Sequence, residues 1–229
     1  MKRLIGLLAM AALLVTPTLA FASGQIGVYV APKFVYGFTQ LQGMKSDNGG
    51  SFIAKGNKSD NAFGGALAIG YDFQQKFSVP VRTELEYAAF SQVTGKTVQQ
   101  YSSTSYDRFT QKLRIQTLFV NAYYDFRNAT AFTPYANAGL GLAFIGDKGR
   151  WEWDWGGPAT AGTKTSTNFA WNIGAGVAYA ITDTISLDLG YRFAGLGEAR
   201  TKQGTYYDWY GKTRDIYMHQ VLLGLRFTF

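Results

Sequence analysis

The chain has 229 residues, 22 basic against 15 acidic side chains, 16% aromatics, 27 glycines, 5 prolines and no cysteine. The missing cysteine excludes disulfides, so an exported domain of this length has to be held by other means. The positive balance comes without an arginine–lysine cluster, which argues against a nucleic-acid partner, and the composition suits strands rather than helices.

The first element in chain order is MKRLIGLLAMAALLVTPTLAFA. Lys2 and Arg3 precede an apolar run that ends at Val15, and Ala20-Phe21-Ala22 reads as an A-x-A cleavage site. This is the pattern of a secretory signal peptide over 1–22, and the run is too short for a spanning helix. Cleavage after Ala22 leaves a mature chain, 23–229, with 20 basic against 15 acidic groups, a net charge of +5 instead of +7.

Beyond it, period-two alternation replaces any helical period. In GQIGVYVAPKFVYGF, Ile26, Val28, Val30, Phe34, Tyr36 and Phe38 share one face, with Tyr29, Ala31 and Lys33 on the other. FGGALAIGYDF sets Leu67, Ile69, Tyr71 and Phe73 against small residues and Asp72; VPVRTELEYAAF sets Val81, Leu85 and Tyr87 against Arg82, Glu84 and Glu86. KLRIQTLFVNAYYDF is out of phase with itself. Leu113 and Ile115 demand one parity, Val120, Ala122, Tyr124 and Phe126 the other, which predicts a bulge near Thr117 to Phe119 or a wrong facing for one half. PYANAGLGLAF, FAWNIGAGVAYA, ISLDLGYRF and the terminal VLLGLRFTF continue the alternation, the last with Val221, Leu223, Leu225, Phe227 and Phe229 on one face.

These segments predict eight strands. Their connections alternate between short turns and long polar loops at about 41–61, 91–110, 146–167 and 195–214, as an up-and-down meander of four hairpins requires. The small face carries Lys33, Asp72, Arg82, Glu84, Glu86, Asp125, Asp188, Arg192 and Arg226 among glycines and alanines. An eight-stranded barrel is just wide enough for side chains to fill, so glycines alternating with paired ions fit its inside. The bulky face then meets lipid, and closure satisfies the backbone. The expected fold is an all-β, eight-stranded antiparallel transmembrane barrel in the bacterial outer membrane.

GYDF at 70–73, NAYYDF at 121–126, PYANAGLGLAF at 134–144 and LDLGYRF at 187–193 resemble the strand motifs of the opacity-protein family of small Gram-negative outer-membrane barrels. The terminal LLGLRFTF is similar to the carboxy-terminal signal that such proteins present to the barrel assembly machinery. The resemblance implies a barrel acting through its loops, with some members adhesins that bind host receptors, and it implies no cofactor.

Several features invite a functional reading. RWEWDWGG sets Trp151, Trp153 and Trp155 along one side of an extended segment, and Trp209 lies in the last loop; these are candidates for stacking on a ligand or for resting at the membrane interface. His219 has Asp215 as the one carboxylate near in sequence and no neighbouring serine, a poor start for a lipid-modifying enzyme. The inward charges line either a narrow channel or a plug. Lys45, Lys55, Lys58, Lys96, Lys164, Lys202, Lys212 and Arg214 are solvated charges or contacts to lipopolysaccharide phosphates. Metal-ligand spacings are absent. The expected function is non-catalytic surface display for recognition, adhesion or envelope structure by a monomer, with a porin-like channel as the alternative.

Overall fold

The structure, a computed structural model, describes residues 26–47, 52–100, 106–153, 159–160, 164–200 and 210–229. Along them run β1 (Val28–Asp47), β2 (Phe52–Asp72), one helical turn α1 (Gln74–Phe77), β3 (Val81–Phe90), β4 (Val93–Gln100), β5 (Tyr106–Asp125) and β6 (Phe132–Trp153). Then follow β7 (Ala159–Thr160), β8 (Lys164–Ala180), β9 (Ile185–Gly195), β10 (Ala199–Arg200), β11 (Tyr210–Thr213) and β12 (Asp215–Thr228). The short strands prolong the long ones: β3 and β4 both pair with β5, β7 and β8 both pair with β6, and β11 and β12 both pair with β1. The result is a closed antiparallel barrel of eight staves.

Closure is made by β1, which pairs with β2 on one side and with β12 on the other, from Tyr29 opposite Thr228 to Gln42 opposite Asp215. The last residue takes part. The Phe229 carbonyl accepts from the Ile26 and Gly27 amides at 2.8 and 3.0 Å, and its own amide donates to Val28 at 2.9 Å. A strand needs about 9–11 residues to cross a bilayer at a tilt. Strands β1, β2, β5 and β6 have 20, 21, 20 and 22, so roughly half of each stands beyond the lipid band.

The side chains show where that band ends. In the half nearer the short turns, Phe34, Ile69, Leu85, Val120, Leu140, Ile173, Leu189 and Leu223 point outward and are exposed, while Tyr29, Arg82, Glu84, Glu86, Asn121 and Arg192 are buried inside. In the half nearer the hairpins the polarity is reversed. Leu41, Met44, Val93, Leu113, Ile115, Phe119, Ile145, Leu196, Ile216 and Met218 form one buried apolar cluster, and Lys112, Arg114, Gln116 and Lys148 face out. The same pleat serves two solvents. Lower down the wall is apolar because hydrocarbon lies outside; higher up the inside is apolar because water lies outside. Aromatic pairs mark the lower rim: Tyr71 with Phe73, Tyr124 with Phe126, and Phe132 with Tyr179.

Two sequence expectations change here. The register of β5 against β3 and β6 runs without a shift through Gln116, Thr117, Leu118 and Phe119, so no bulge exists at that place. The other alternative holds, a wrong facing for the first half: Leu113 and Ile115 point inward above the lipid band, and Val120 and Tyr124 point outward within it. The irregularities lie in β1 against β2, between Leu41 and Met44 and between Ser46 and Asp47, where Gly43 takes a φ of 60°. The second change concerns the segments expected as long loops. Within the described residues, 41–47, 52–61, 93–100, 106–110 and 146–153 are paired strand, so the loops are prolonged hairpins.

If the upper half folds as a water-facing core, Leu113→Ala leaves a cavity there and costs about 2–5 kcal/mol. The expected outcome is faster hydrogen exchange and trypsin cleavage at Lys112 and Arg114, with the lower band still protected. Leu140→Ala, at a lipid-facing position, should leave both halves protected.

Candidate functional site

Three features have chemistry: the charged lumen, a buried acid in the upper core, and the outer wall with its hairpins. The lumen comes first. Arg82 on β3 holds Asp125 on β5 through two parallel bonds, Nε to Oδ2 at 2.8 Å and Nη2 to Oδ1 at 2.9 Å. Its guanidinium also stacks 4.7 Å from the Tyr123 ring and 5.3 Å from that of Tyr135. Lys33 on β1 donates to Glu84 at 2.6 Å and to Glu86 at 2.7 Å; Arg192 on β9 donates to the other oxygen of Glu86 at 2.7 Å and to Gln220 at 2.7 Å. Tyr29 and Tyr123 donate their hydroxyls to Glu84 at 3.2 and 2.9 Å. Lower down, Arg127 reaches back from beyond β5 to Asp72 at 2.9 Å and Asp125 at 3.3 Å, and Arg226 lies 3.6 Å from Asp188.

Lys33, Arg82, Arg127, Arg192 and Arg226 thus balance Asp72, Glu84, Glu86, Asp125 and Asp188 charge for charge. Every lumen residue named from the sequence lies in this network. Sequence reasoning set Tyr29, Asn137 and Asn172 on the inward face without a part in the network, and missed Arg127, assigned to a turn, with Tyr123, Tyr135, Gln220 and Asn121; the amide relay runs from Asn137 through Asn172 to Asn121 at 3.0 and 2.9 Å. Their inward parity was the available signal. Glycine makes the network fit, since a Cβ at Gly70 would overlap the Tyr29 ring and one at Gly176 the Tyr135 hydroxyl. The cavity left among these groups is about 20 Å³, bordered by Lys33, Arg82, Glu84, Asp188 and Arg192. That is room for about one water. Asp188 Oδ1, Arg192 Nη2 and Arg226 Nη1 lack protein partners, polar sites for such a water.

Above the lipid band, Asp147 on β6 is wholly buried, and no cation among the described residues pairs with it. It accepts from the Gln111 amide, whose oxygen accepts from Thr213 Oγ1 at 2.8 Å, and its Oδ1 has no partner. Burial pushes its carboxyl up to about 7 against the smaller opposing effect of the Gln111 bond.

On the outer wall, His219 on β12 sits opposite Phe38 and Phe193. Its Nδ1 is 2.6 Å from the Tyr191 hydroxyl and its Nε2 3.4 Å from Gln40 Nε2. Rings surround it, Phe193 at 4.9 Å and Phe38 at 6.3 Å, and Phe193 stacks on Tyr217. Among the described residues its hydrogen-bonding partners are Tyr191 and Gln40, and no serine or carboxylate bonds to it. Among the described residues no cluster of His, Asp and Glu has the make-up of a metal site. Trp151 and Trp153 lie on the paired end of β6, opposite Phe109 and Asp107; their side chains, and Trp155 and Trp209 altogether, fall outside the described residues. Lys202 and the side chain of Lys55 do so too, whereas Lys58, Lys96, Lys164 and Arg214 are exposed, and Lys212 is 2.9 Å from Glu198.

Comparison with known proteins matches residues 6–229 to the family described as outer membrane protein beta-barrel domain. The chain belongs to that family. A relative in it, outer membrane protein PagN of Salmonella typhimurium, is 32% identical over 195 residues, covering 82% of each chain. A putative adhesin of Rickettsia canadensis is 26% identical over 212 residues, 90% of this chain and 89% of the other. Neisserial surface protein A shares the fold at 20% identity with a TM-score of 0.50, covering 90% of this chain and all of that one. As a member of the outer membrane barrel family, the protein resides in the outer membrane, in the build that its strand motifs implied.

Two outcomes follow from the buried charges. Arg82→Met leaves Asp125 short of its main partner and should cost about 3–5 kcal/mol, while Arg82→Met with Asp125→Leu should recover most of it; urea titration of the folded, heat-modifiable band measures both. Asp147 binds its proton more tightly folded than unfolded. The Asp147 contribution to stability should therefore be greatest below about pH 4 and fall as pH rises from about 4 toward 7, by up to ~1.4 kcal/mol per unit. Asp147→Asn should flatten that slope in unfolding of the upper barrel.

Proposed function

We propose that the protein is a non-catalytic surface-display barrel that carries four strand-built hairpins out of the outer membrane to recognise or adhere to a partner surface. The observation that carries this reading is the pairing of a filled, charge-neutral lumen with four strands about twice as long as a bilayer needs. Strand pairing and an apolar core in the upper half hold the hairpins rigidly above the lipid, as suits recognition. Likeness to a putative adhesin points the same way.

In this reading 1–22 is a cleaved export signal, and the hairpin tips, with their tryptophans, face outward from the cell. Lipid and lipopolysaccharide surround the wall. The face of β12 with Val221, Leu223, Leu225, Phe227 and Phe229 is the segment offered to the assembly machinery. The barrel acts as a monomer, without a cofactor. A porin-like channel is disfavoured by the water-sized gap among the lumen ions, and a lipid-modifying enzyme by the neighbours of His219.

Replacing residues 48–51, 101–105, 154–163 and 201–209 by tight turns should leave a heat-modifiable barrel that no longer attaches bacteria to host cells or matrix. Planar-bilayer recordings of the intact protein should stay silent. Undiminished attachment after trimming would dismiss display, and a unitary conductance altered by Glu84→Gln would put the channel in its place.

A further inference from the structure

Because the lumen is neutral charge for charge, the net positive charge of the chain is carried elsewhere. Much of it is gathered on one wall. Lys96 on β4, Arg108, Lys112 and Arg114 on β5, and Lys148 and Arg150 on β6 are all exposed. Register sets Lys112 directly opposite Lys148, and Lys96 and Arg150 on either side of Thr110. On β5 and β6 these are the even positions, which lower down carry Val120, Leu140 and Leu142 toward lipid, so the cations share the outward face. Among the described residues, Glu152 pairs with two of these cations, 2.9 Å from Arg150 and 3.4 Å from Arg108, and Asp60 of β2 accepts from the Thr94 amide at the β4 edge at 2.7 Å. Asp147 lies on the buried side. Lys96, Lys112, Arg114 and Lys148 make no ion pair among the described residues.

Like charges directly opposite one another weaken an antiparallel pair, and no ion pair among the described residues offsets this for Lys112 and Lys148. Depth narrows the choice of counter-charge. Arg114 is four residues above Leu118, and Lys148 six above Leu142, the last leucines of the lipid face on their strands. With the usual rise and tilt, that places the cations roughly 10–15 Å beyond the hydrocarbon edge, level with headgroups and well short of the hairpin tips. The wall is also continuous with the lipid face beneath it.

We propose that this β4–β5–β6 wall is a binding surface for the phosphorylated sugar headgroups of lipopolysaccharide in the outer leaflet. It rests on the reading that the hairpin end faces outward. Phosphate oxygens accept charge-assisted bonds from Lys112, Lys148 and Arg114 and remove the repulsion between them. A sulfated polysaccharide from another cell has similar charge, but it would meet the tips first.

The test uses the full-length protein in detergent, titrated with lipopolysaccharide, with the same lipopolysaccharide after enzymatic dephosphorylation, and with a soluble sulfated polysaccharide. Phosphorylated lipopolysaccharide should bind, and dephosphorylation should weaken it by roughly tenfold or more. Lys112→Gln with Lys148→Gln should lose about tenfold in affinity, as should Lys96→Gln with Arg114→Gln. Arg200→Gln with Lys212→Gln removes equal charge beside Glu198 in other staves and should change affinity by less than about twofold. Heat-modifiable migration verifies each barrel. Equal binding of the dephosphorylated form, unchanged affinity in both wall variants, or preference for the polysaccharide overturns the proposal. Attachment to host cells is read separately: the wall variants keep their hairpin tips, so display and lipid binding fail on different measurements.

Discussion

Hydrocarbon offers no partner to a backbone amide or carbonyl, so a strand can cross it only when both its edges are paired. Everything else in this molecule is arranged around that closure. Pairing of β12 with β1 removes the last free edge, and the terminal Phe229 continues it to the final peptide. Closing eight staves fixes the radius, and the radius leaves an interior that side chains must fill. Lipid takes the apolar residues to the outside, so the filling falls to polar ones. Buried ions are tolerable only in pairs with their remaining hydrogen-bonding positions met. The Lys33, Glu84, Glu86 and Arg192 chain, the Arg82–Asp125 fork and the tyrosine hydroxyls around them follow from closure by that route.

Above the lipid the same closure has the opposite consequence. Water now satisfies the outer face, and the interior stabilises best when it is dry. Leu113, Ile115, Ile145, Ile216 and Met218 therefore stack over the ionic layer, with Phe119 at the boundary, its ring 5.5 Å from the Arg192 guanidinium. One molecule thus has a membrane barrel below and a water-soluble barrel above, sharing strands and register. Asp147 is the exception to the pairing rule, an acid in the dry layer with an amide for company and no cation. Burial, with no cation among the described residues to oppose it, is why its proton is held so strongly.

The period-two alternation was legible because side chains alternate across any strand whatever surrounds it. Which face is inside was legible for the spanning halves, because large ions among glycines have few other homes. Alternation is blind to solvent, however. At Thr117 the apolar parity of β5 changes from odd to even with no change in backbone, and a reader who assumes one solvent must infer either a bulge or a misfaced half, of which the second is found. The same blindness turned strand into loop: 106–110 and 146–153 are polar on their outer face and so look unstructured to a rule tuned to lipid. Arg127 escaped because its reach back to Asp72 depends on side-chain length and not on parity. Lys112, Arg114, Lys148 and Arg150 escaped because each seemed an isolated charge until register laid the strands side by side.

That last point separates two uses of charge that composition merges into one net figure. Inside, opposite ions are interleaved across β1, β3, β5 and β9 so that Glu84, Glu86 and Asp125 each have a cation within bonding distance, and the few atoms left over around Asp188, Arg192 and Arg226 border a water-sized gap. Outside, on β5 and β6, Lys112 faces Lys148, and neither has an ion pair among the described residues. A surface of the first kind fills space, and one of the second kind is satisfied only by what comes to it. The division falls at the edge of the lipid band, where screening by water makes exposed repulsion cheap enough to keep and where membrane phosphates are closest. Recognition by this barrel is thus set at two heights: by charge beside the membrane, and by the hairpins that its dry upper core holds clear of it.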